Sequence, residues 1–296
     1  MQTQQLQETT WKTQYPFKSN FLNIDGVKLH YIDEGQGEAV IMLHGNPTWS
    51  FFYRNVVNEL KKNHRCIVPD HIGCGLSDKP QDYDYTLENH ISNILKLIEE
   101  LKLESFSLIV HDWGGAIGMG VATRLPSKVK RMTIMNTAAF LSQEIPFSIS
   151  ICKLPLIGEK IVRNFNAFAW PATFMAVEKK LPKEIKEGFL HPYNNYENRI
   201  ATARFVKDIP LNTNHVSFNT LKEIEEKLPT VTCPKLFLWG AKDFCFTLNF
   251  LKRWRDFFPS DKYVILENAG HYLMEDETER CMQEIKGFFN EHSQSN

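Results

Sequence analysis

Phe106-Ser107-Leu108-Ile109-Val110-His111-Asp112-Trp113-Gly114-Gly115-Ala116-Ile117-Gly118 begins as a buried strand, meets small residues and continues as a helix. A strand that turns directly into a helix strains the backbone at its tip, so small residues must follow, and Gly114 and Gly115 supply them. This is the pattern of a nucleophile elbow, whose usual form is G-x-S-x-G. Here Val110 takes the first small position and Asp112 replaces serine. A serine must lose its proton before it attacks. An aspartate is already anionic at neutral pH and can attack a carbon electrophile directly, leaving an ester for a second step to resolve. An Asp here could instead be a plain helix N-cap, but a cap requires neither the strand before it nor the Trp-Gly-Gly after it.

Outward from the elbow, compact apolar runs bounded by turn residues suit fully buried strands: Ala39 to Leu43, Cys66 to Pro69, Phe106 to Val110, Arg131 to Met135, Lys235 to Trp239 and Tyr263 to Leu266. Before them, Phe21 to Ile24 and Val27 to Asp33 flank Asp25-Gly26, a pair that tolerates the positive φ of a hairpin turn. Helical patterns lie between the strands. In Thr86 to Leu101, Ile91, Ile94, Leu95, Leu97, Ile98 and Leu101 recur at helical spacing, with Thr86 and Asn89 offering capping chemistry. Alternating strands and helices predict an α/β fold with a mostly parallel central sheet flanked by helices. The pattern stops between Phe140 and Leu211, where Pro-broken helices rich in Phe and Trp read as an inserted helical cap. The expected organisation is a polar leader (1–20), a core (21–139 and 212–296) and a cap (140–211).

An ester on Asp112 calls for a base. Glu267-Asn268-Ala269-Gly270-His271 follows the last predicted strand, which places the His271 imidazole at the carboxyl edge of the sheet. A histidine base needs a carboxylate to fix its tautomer, and Trp239-Gly240-Ala241-Lys242-Asp243 puts Asp243 just past the preceding strand. The other histidines, such as His30, His64 and His292, read as surface or structural. His44-Gly45-Asn46-Pro47-Thr48-Trp49 also follows a buried strand. Backbone N–H groups of Asn46 and Trp113 would point at developing negative charge, each donor being worth about 3 kcal/mol in a transition state. The Asn46 amide and the Trp113 indole, which only donates, suit a leaving halide or carboxylate. In Pro69-Asp70-His71-Ile72-Gly73-Cys74-Gly75-Leu76-Ser77-Asp78-Lys79-Pro80, Asp70 and His71 read as loop-fixing.

The 296 residues, 43% hydrophobic and 12% aromatic, are enough for a large core. The formal charge of −1 carries no sign bias, and Lys and Arg are scattered rather than clustered, which argues against a nucleic-acid partner. Six cysteines (Cys66, Cys74, Cys152, Cys233, Cys245, Cys281) lack CxxC or Cys/His metal spacing, so we expect core thiols in a reducing compartment and no metal. The first ten residues are polar without a basic start or apolar run, and no stretch reaches the ~18 apolar residues of a membrane span. The expectation is a cytoplasmic protein.

Together, HGNPTW (His44 to Trp49), HDWGG (His111 to Gly115), Asp243 and Gly270-His271 resemble the haloalkane dehalogenases, over a span from about Phe21 to Phe289. The resemblance implies the α/β-hydrolase fold, an Asp112-His271-Asp243 triad, an Asn46-Trp113 leaving-group pair and no cofactor. In some such enzymes the acid follows the strand that here ends near Met135. Asn136-Thr137-Ala138 offers no carboxylate there, which favours Asp243. CIVPDHIGCGLSDKP, TIMNTAAF, FNAFAW, NRIATARFVKDIPL and GAKDFCF resemble a narrower group, the β-lactone decarboxylases of bacterial long-chain olefin biosynthesis. Those enzymes convert a cis-3,4-dialkyl β-lactone into a cis-alkene and carbon dioxide. This implies a hydrophobic small-molecule substrate and an association with other olefin-pathway enzymes, and Phe140, Phe147, Phe165, Phe168, Trp170 and Phe174 would suit long alkyl chains. Hydrolytic dehalogenation uses the same residues and stays open at this point. So do an epoxide hydrolase using Tyr193 or Tyr196 as acid, and a non-enzymatic receptor on the same fold.

Overall fold

A computed structural model describes residues 11–155 and 157–293. The hairpin forms as Asp-Gly chemistry requires. Strands β1 (Asn20–Ile24) and β2 (Val27–Glu34) pair antiparallel with Ile24 opposite Val27, and φ is 53° at Asp25 and 91° at Gly26. The remaining strands are β3 (Glu38–Leu43), β4 (His64–Pro69), β5 (Phe106–His111), β6 (Val129–Met135), β7 (Lys235–Gly240) and β8 (Lys262–Leu266). They lie in the order β1-β2-β4-β3-β5-β6-β7-β8. The β2–β4 pair is antiparallel and all later neighbours are parallel. This is the predicted α/β-hydrolase sheet.

Helices cover both faces, so β5 and β7 are buried at every position and show no alternation. Alternate residues still serve opposite layers: Ile41 and Leu43 of β3 enter one core cluster, Val40 and Met42 the other. The covering helices before the elbow are α1 (Arg54–Leu60) and α2 (Leu87–Glu100). The Thr86 hydroxyl caps α2 by accepting the Asn89 N–H at 3.4 Å, and Ile91, Ile94, Leu97 and Ile98 form its buried stripe. Helix α3 (Trp113–Arg124) leaves the elbow.

Between β6 and β7 no strand forms among the described residues. The chain runs instead through α4 (Phe147–Cys152), α5 (Gly158–Phe165), α6 (Ala169–Met175), α7 (Lys183–Leu190), α8 (Ile200–Lys207) and α9 (Phe218–Lys227). Helix α10 (Leu248–Phe257) follows β7, and α11 (Leu273–Asp276) and α12 (Thr278–Glu291) follow β8. Of the polar leader, residues 1–10 lie outside the described residues. Trp11 and Tyr15 are buried, with ring centroids 5.8 and 4.9 Å from that of Trp49. Among the described residues no helix is long and apolar enough to cross a membrane, and no group of three or more His, Cys, Asp or Glu side chains could hold a metal ion. All six cysteines are free thiols, four of them buried.

The elbow glycines are steric necessities. A Cβ on Gly114 would collide with the Leu43 carbonyl of β3, and one on Gly115 with the Thr137 side chain. The first obstacle is backbone and cannot rotate away. Gly114→Ala should therefore cost at least about 3 kcal/mol, read as a fall in Tm of roughly 5 °C or more. Gly287→Ala, whose Cβ meets nothing within 4 Å, serves as the control that leaves Tm unchanged or slightly raised.

Candidate active site

Asp112 stands at the tip between β5 and α3 with φ 51° and ψ −127°, a conformation that disfavours a side chain and that the flanking strand and helix impose. Its carboxylate makes no capping hydrogen bond to α3, so the N-cap explanation fails. Instead Oδ1 accepts the backbone N–H of Asn46 at 2.6 Å, and Oδ2 faces His271 Nε2 at 3.6 Å. His271 Nδ1 lies 2.7 Å from Asp243 Oδ2, while Asp243 Oδ1 accepts the Cys245 N–H at 2.7 Å. The three residues come from the ends of β5, β7 and β8, far apart in sequence, and all three are buried. A hydrogen on Nδ1 satisfies Asp243 and leaves Nε2 turned to Asp112.

Burial disfavours the charged forms of both partners, and the surroundings act on each. Desolvation raises the Asp112 carboxyl above the usual carboxylate range, although His271 and the N–H groups of Asn46 and Trp113 pull it down. Desolvation lowers His271, but Asp243 and then Asp112 outweigh it, so the imidazole ends above its ordinary value. Both carboxylates thus act on the imidazole in the direction of its charged form, against its burial.

The anion donors are disposed differently from the sequence expectation. The Asn46 backbone N–H is engaged by Asp112 Oδ1. The Asn46 side chain gives one amide N–H to the Thr202 carbonyl of α8 at 3.1 Å, and its Oδ1 is buried without a partner. The Trp113 indole has no hydrogen-bond partner among the described residues, and Trp113 lines the cavity above Asp112. That cavity measures about 1350 Å³ counting its open mouth. Its floor includes Asn46, Asp112, Trp113 and His271. Its walls are overwhelmingly apolar, with Ile149 and Phe168 from the helical excursion facing Phe246 and Phe250 from the segment after β7.

The aromatic expectation needs correction. Phe140 and Phe168 line the cavity, but Phe147, Phe165, Trp170 and Phe174 do not and are exposed. Their helices are short and turn one face inward and the other to solvent, which residue counting could not distinguish. Tyr193 is fully buried with its hydroxyl on the Thr48 carbonyl, and Tyr196 sits under Arg163. Neither lines the cavity, so neither of these two tyrosines can serve as the acid expected of an epoxide hydrolase. Asp70 fixes its loop by accepting from Ser50 and Leu76 N–H groups and pairing with buried His30 at 2.8 Å.

Sequence reasoning passed over the residues that hold the strand ends in register. Asn136, at φ 27°, exchanges hydrogen bonds with Gly240 through Oδ1 (2.8 Å) and Nδ2 (3.1 Å), and its carbonyl accepts the Asp112 N–H. It ties the elbow to the strand that leads to Asp243. His111 Nε2 donates to the His271 carbonyl at 2.9 Å, and Asp276 accepts the Gly270 N–H at 2.8 Å. An amide closing a buried strand was the available signal for Asn136.

A mostly parallel eight-stranded sheet with a carboxylate, an imidazole and a second carboxylate aligned at its strand ends defines an α/β-hydrolase enzyme, and residues 38–153 match the family model described as alpha/beta hydrolase fold. The chain is 46% identical over 287 residues to a cis-3-alkyl-4-alkyloxetan-2-one decarboxylase of Shewanella oneidensis, covering 94% of this chain and 90% of that protein. It is 38% identical to the one of Xanthomonas campestris, covering 93% and 96%. Haloalkane dehalogenase 2 of Mycobacterium bovis is 30% identical, covering 92% and 94%. The crystal structure of an ancestral haloalkane dehalogenase superposes with a TM-score of 0.84 at 26% identity, covering 92% of this chain and 99% of that one. The chain thus belongs to the haloalkane dehalogenase-like family of α/β hydrolases, in which these named β-lactone decarboxylases are its more similar relatives and the dehalogenases more distant ones.

Proposed function

We propose that the enzyme decarboxylates cis-3-alkyl-4-alkyloxetan-2-ones to cis-alkenes, with Asp112 as nucleophile, His271 and Asp243 completing the triad, and Asn46 and Trp113 receiving the leaving group. The proposal extends to the organisation: residues 140–211 form a helical cap over a core of 21–139 and 212–296, in a cytoplasmic enzyme whose six thiols stay reduced. The observation that carries the reading is a buried, oriented carboxylate at the floor of an apolar cavity, in a chain with 46% identity to a named decarboxylase.

The hydrogen bonds favour attack on ring carbon C4 over the carbonyl. The Asn46 N–H already holds Asp112 Oδ1, so a lactone carbonyl turned tetrahedral would lack that donor. Attack at C4 by Oδ2 forms the Asp112–C4 bond as the C4–O bond breaks, and the ring carboxylate leaves toward the Trp113 indole. The C3–carboxylate bond then breaks, its electrons form the C3–C4 double bond, and Asp112 departs as carboxylate with CO2 released. Inversion at C4 followed by anti loss of the two groups returns a cis-alkene from a cis-lactone, and no net proton moves. Dehalogenation is the second reading, favoured by the unpartnered Trp113 indole, which fits a halide as well as a carboxylate.

Purified protein given a cis-dialkyl β-lactone and, separately, a bromoalkane should release alkene from the first. Bromide without alkene would overturn the decarboxylase reading. Trp113→Phe keeps the ring and removes the indole N–H. It should lower kcat on the lactone by about 100-fold, the worth of one oriented donor, with Tm unchanged. An unaltered kcat would remove Trp113 from the leaving-group site. Co-elution from cell extract tests the association with other olefin-pathway enzymes that the resemblance implies.

A further inference from the structure

The short cap helices α4 and α6 each divide their residues between the cavity and the outside. On α4, Ile149 and Cys152 line the cavity, while Phe147 and Ile151, one turn apart, face outward. On α6, Pro171 and Ala172 line it, while Trp170 and Phe174 face outward with their rings in edge contact at 5.0 Å. Leu154, Ile157 and Phe165 extend the exposed apolar surface, with Phe147 82% and Phe165 78% exposed. Surfaces of this kind on a water-facing protein mark contact sites.

Charge and continuity identify the occupant. Residues 140–211 carry ten Lys and Arg against seven Asp and Glu, whereas the whole chain has 34 against 35. Lys160, Lys179, Lys180 and Lys183 are exposed, and Lys186 Nζ lies 5.3 Å from the Trp170 ring. Aromatic side chains flanked by lysines suit the boundary between lipid headgroups and acyl chains. The same helices line the cavity with their opposite sides, so this face and the cavity share one thin layer of structure.

We propose that the outer face of the cap, built on Phe147, Ile151, Phe165, Trp170 and Phe174, docks on an anionic lipid bilayer. There the cavity takes up its long-chain substrate and discharges a hydrocarbon that water does not dissolve. The purpose assigned to docking rests on the β-lactone reading; the docking itself does not.

The test is flotation with vesicles of phosphatidylcholine, alone or in equal parts with phosphatidylglycerol. Wild-type protein should float with the anionic vesicles, less so at high salt. Phe147→Ser combined with Phe165→Ser should cut the floated fraction by at least about tenfold, as expected for two lost aromatic anchors. That variant should keep its Tm and its turnover of a short-chain lactone in solution. Wild type that stays unbound, or a variant that floats equally well, overturns the proposal. So does a wild-type dimer or larger oligomer in light scattering that the variant reduces to monomer, because a second copy then covers the face. Flotation without alkene formation would sink the β-lactone reading and leave the lipid surface standing. Alkene formation without flotation would do the reverse.

Discussion

Asp112→Ala should lower alkene formation from a cis-dialkyl β-lactone by at least about 10⁴-fold, the scale on which removing a nucleophile acts when the rest of the site persists. Binding should change far less, because the apolar cavity walls supply it and Asp112 contributes one floor residue. An alanine at φ 51° must adopt a conformation that side chains disfavour, so Asp112→Asn is the necessary companion. Asparagine keeps the size, and its carbonyl oxygen still accepts the Asn46 N–H that now lies 2.6 Å from Oδ1. It lacks the anion. If both variants hold the wild-type Tm and both lose turnover, the carboxylate charge itself is required. Turnover within tenfold of wild type in Asp112→Asn would remove Asp112 as nucleophile, and the triad with it.

The fold was legible because its central strands are buried on both faces, although the last run, Tyr263 to Leu266, became an edge strand with Ile265 exposed rather than a fully buried one. A continuous apolar run such as Phe106 to Val110 has few other uses at that length, and it became β5. The elbow was legible because its glycines answer a steric demand that the Leu43 carbonyl and the Thr137 side chain now make explicit. His271 and Asp243 could be placed because each follows a strand, and strand ends converge on one edge of a parallel sheet. The proposed cap was different. Its helices span six to eight residues, too few for periodicity to tell inward aromatics from outward ones, so Phe168 and Phe165 looked alike. The use of each hydrogen-bond donor was hidden for another reason. That the Asn46 N–H serves Asp112 and the Asn46 amide serves Thr202 follows from contacts across 66 and 156 residues, which no local pattern encodes.

His271→Ala separates the two chemistries that share this site. In decarboxylation as drawn above, Asp112 leaves C4 when CO2 departs, so no water attacks the ester and no base is consumed. His271 then acts as the neighbour that orients and polarises Asp112 from 3.6 Å as the carboxylate forms and breaks its bond. Its removal should slow alkene release by roughly 10- to 100-fold, within the range a positioned acid–base group contributes, and intact mass should show unmodified protein during turnover. With a bromoalkane the outcome should be opposite. The Asp112 ester can be resolved only by water, His271 Nε2 at 3.6 Å is the base placed to activate it, and without it the protein should release about one equivalent of bromide and stop. The peptide containing Asp112 should then carry the alkyl group. An Asp112 ester that instead accumulates from the lactone would show that attack at C4 occurs but that loss of CO2 and of Asp112 waits on His271, whereas a mixed anhydride on Asp112 would put the attack on the lactone carbonyl and overturn departure of Asp112 with CO2.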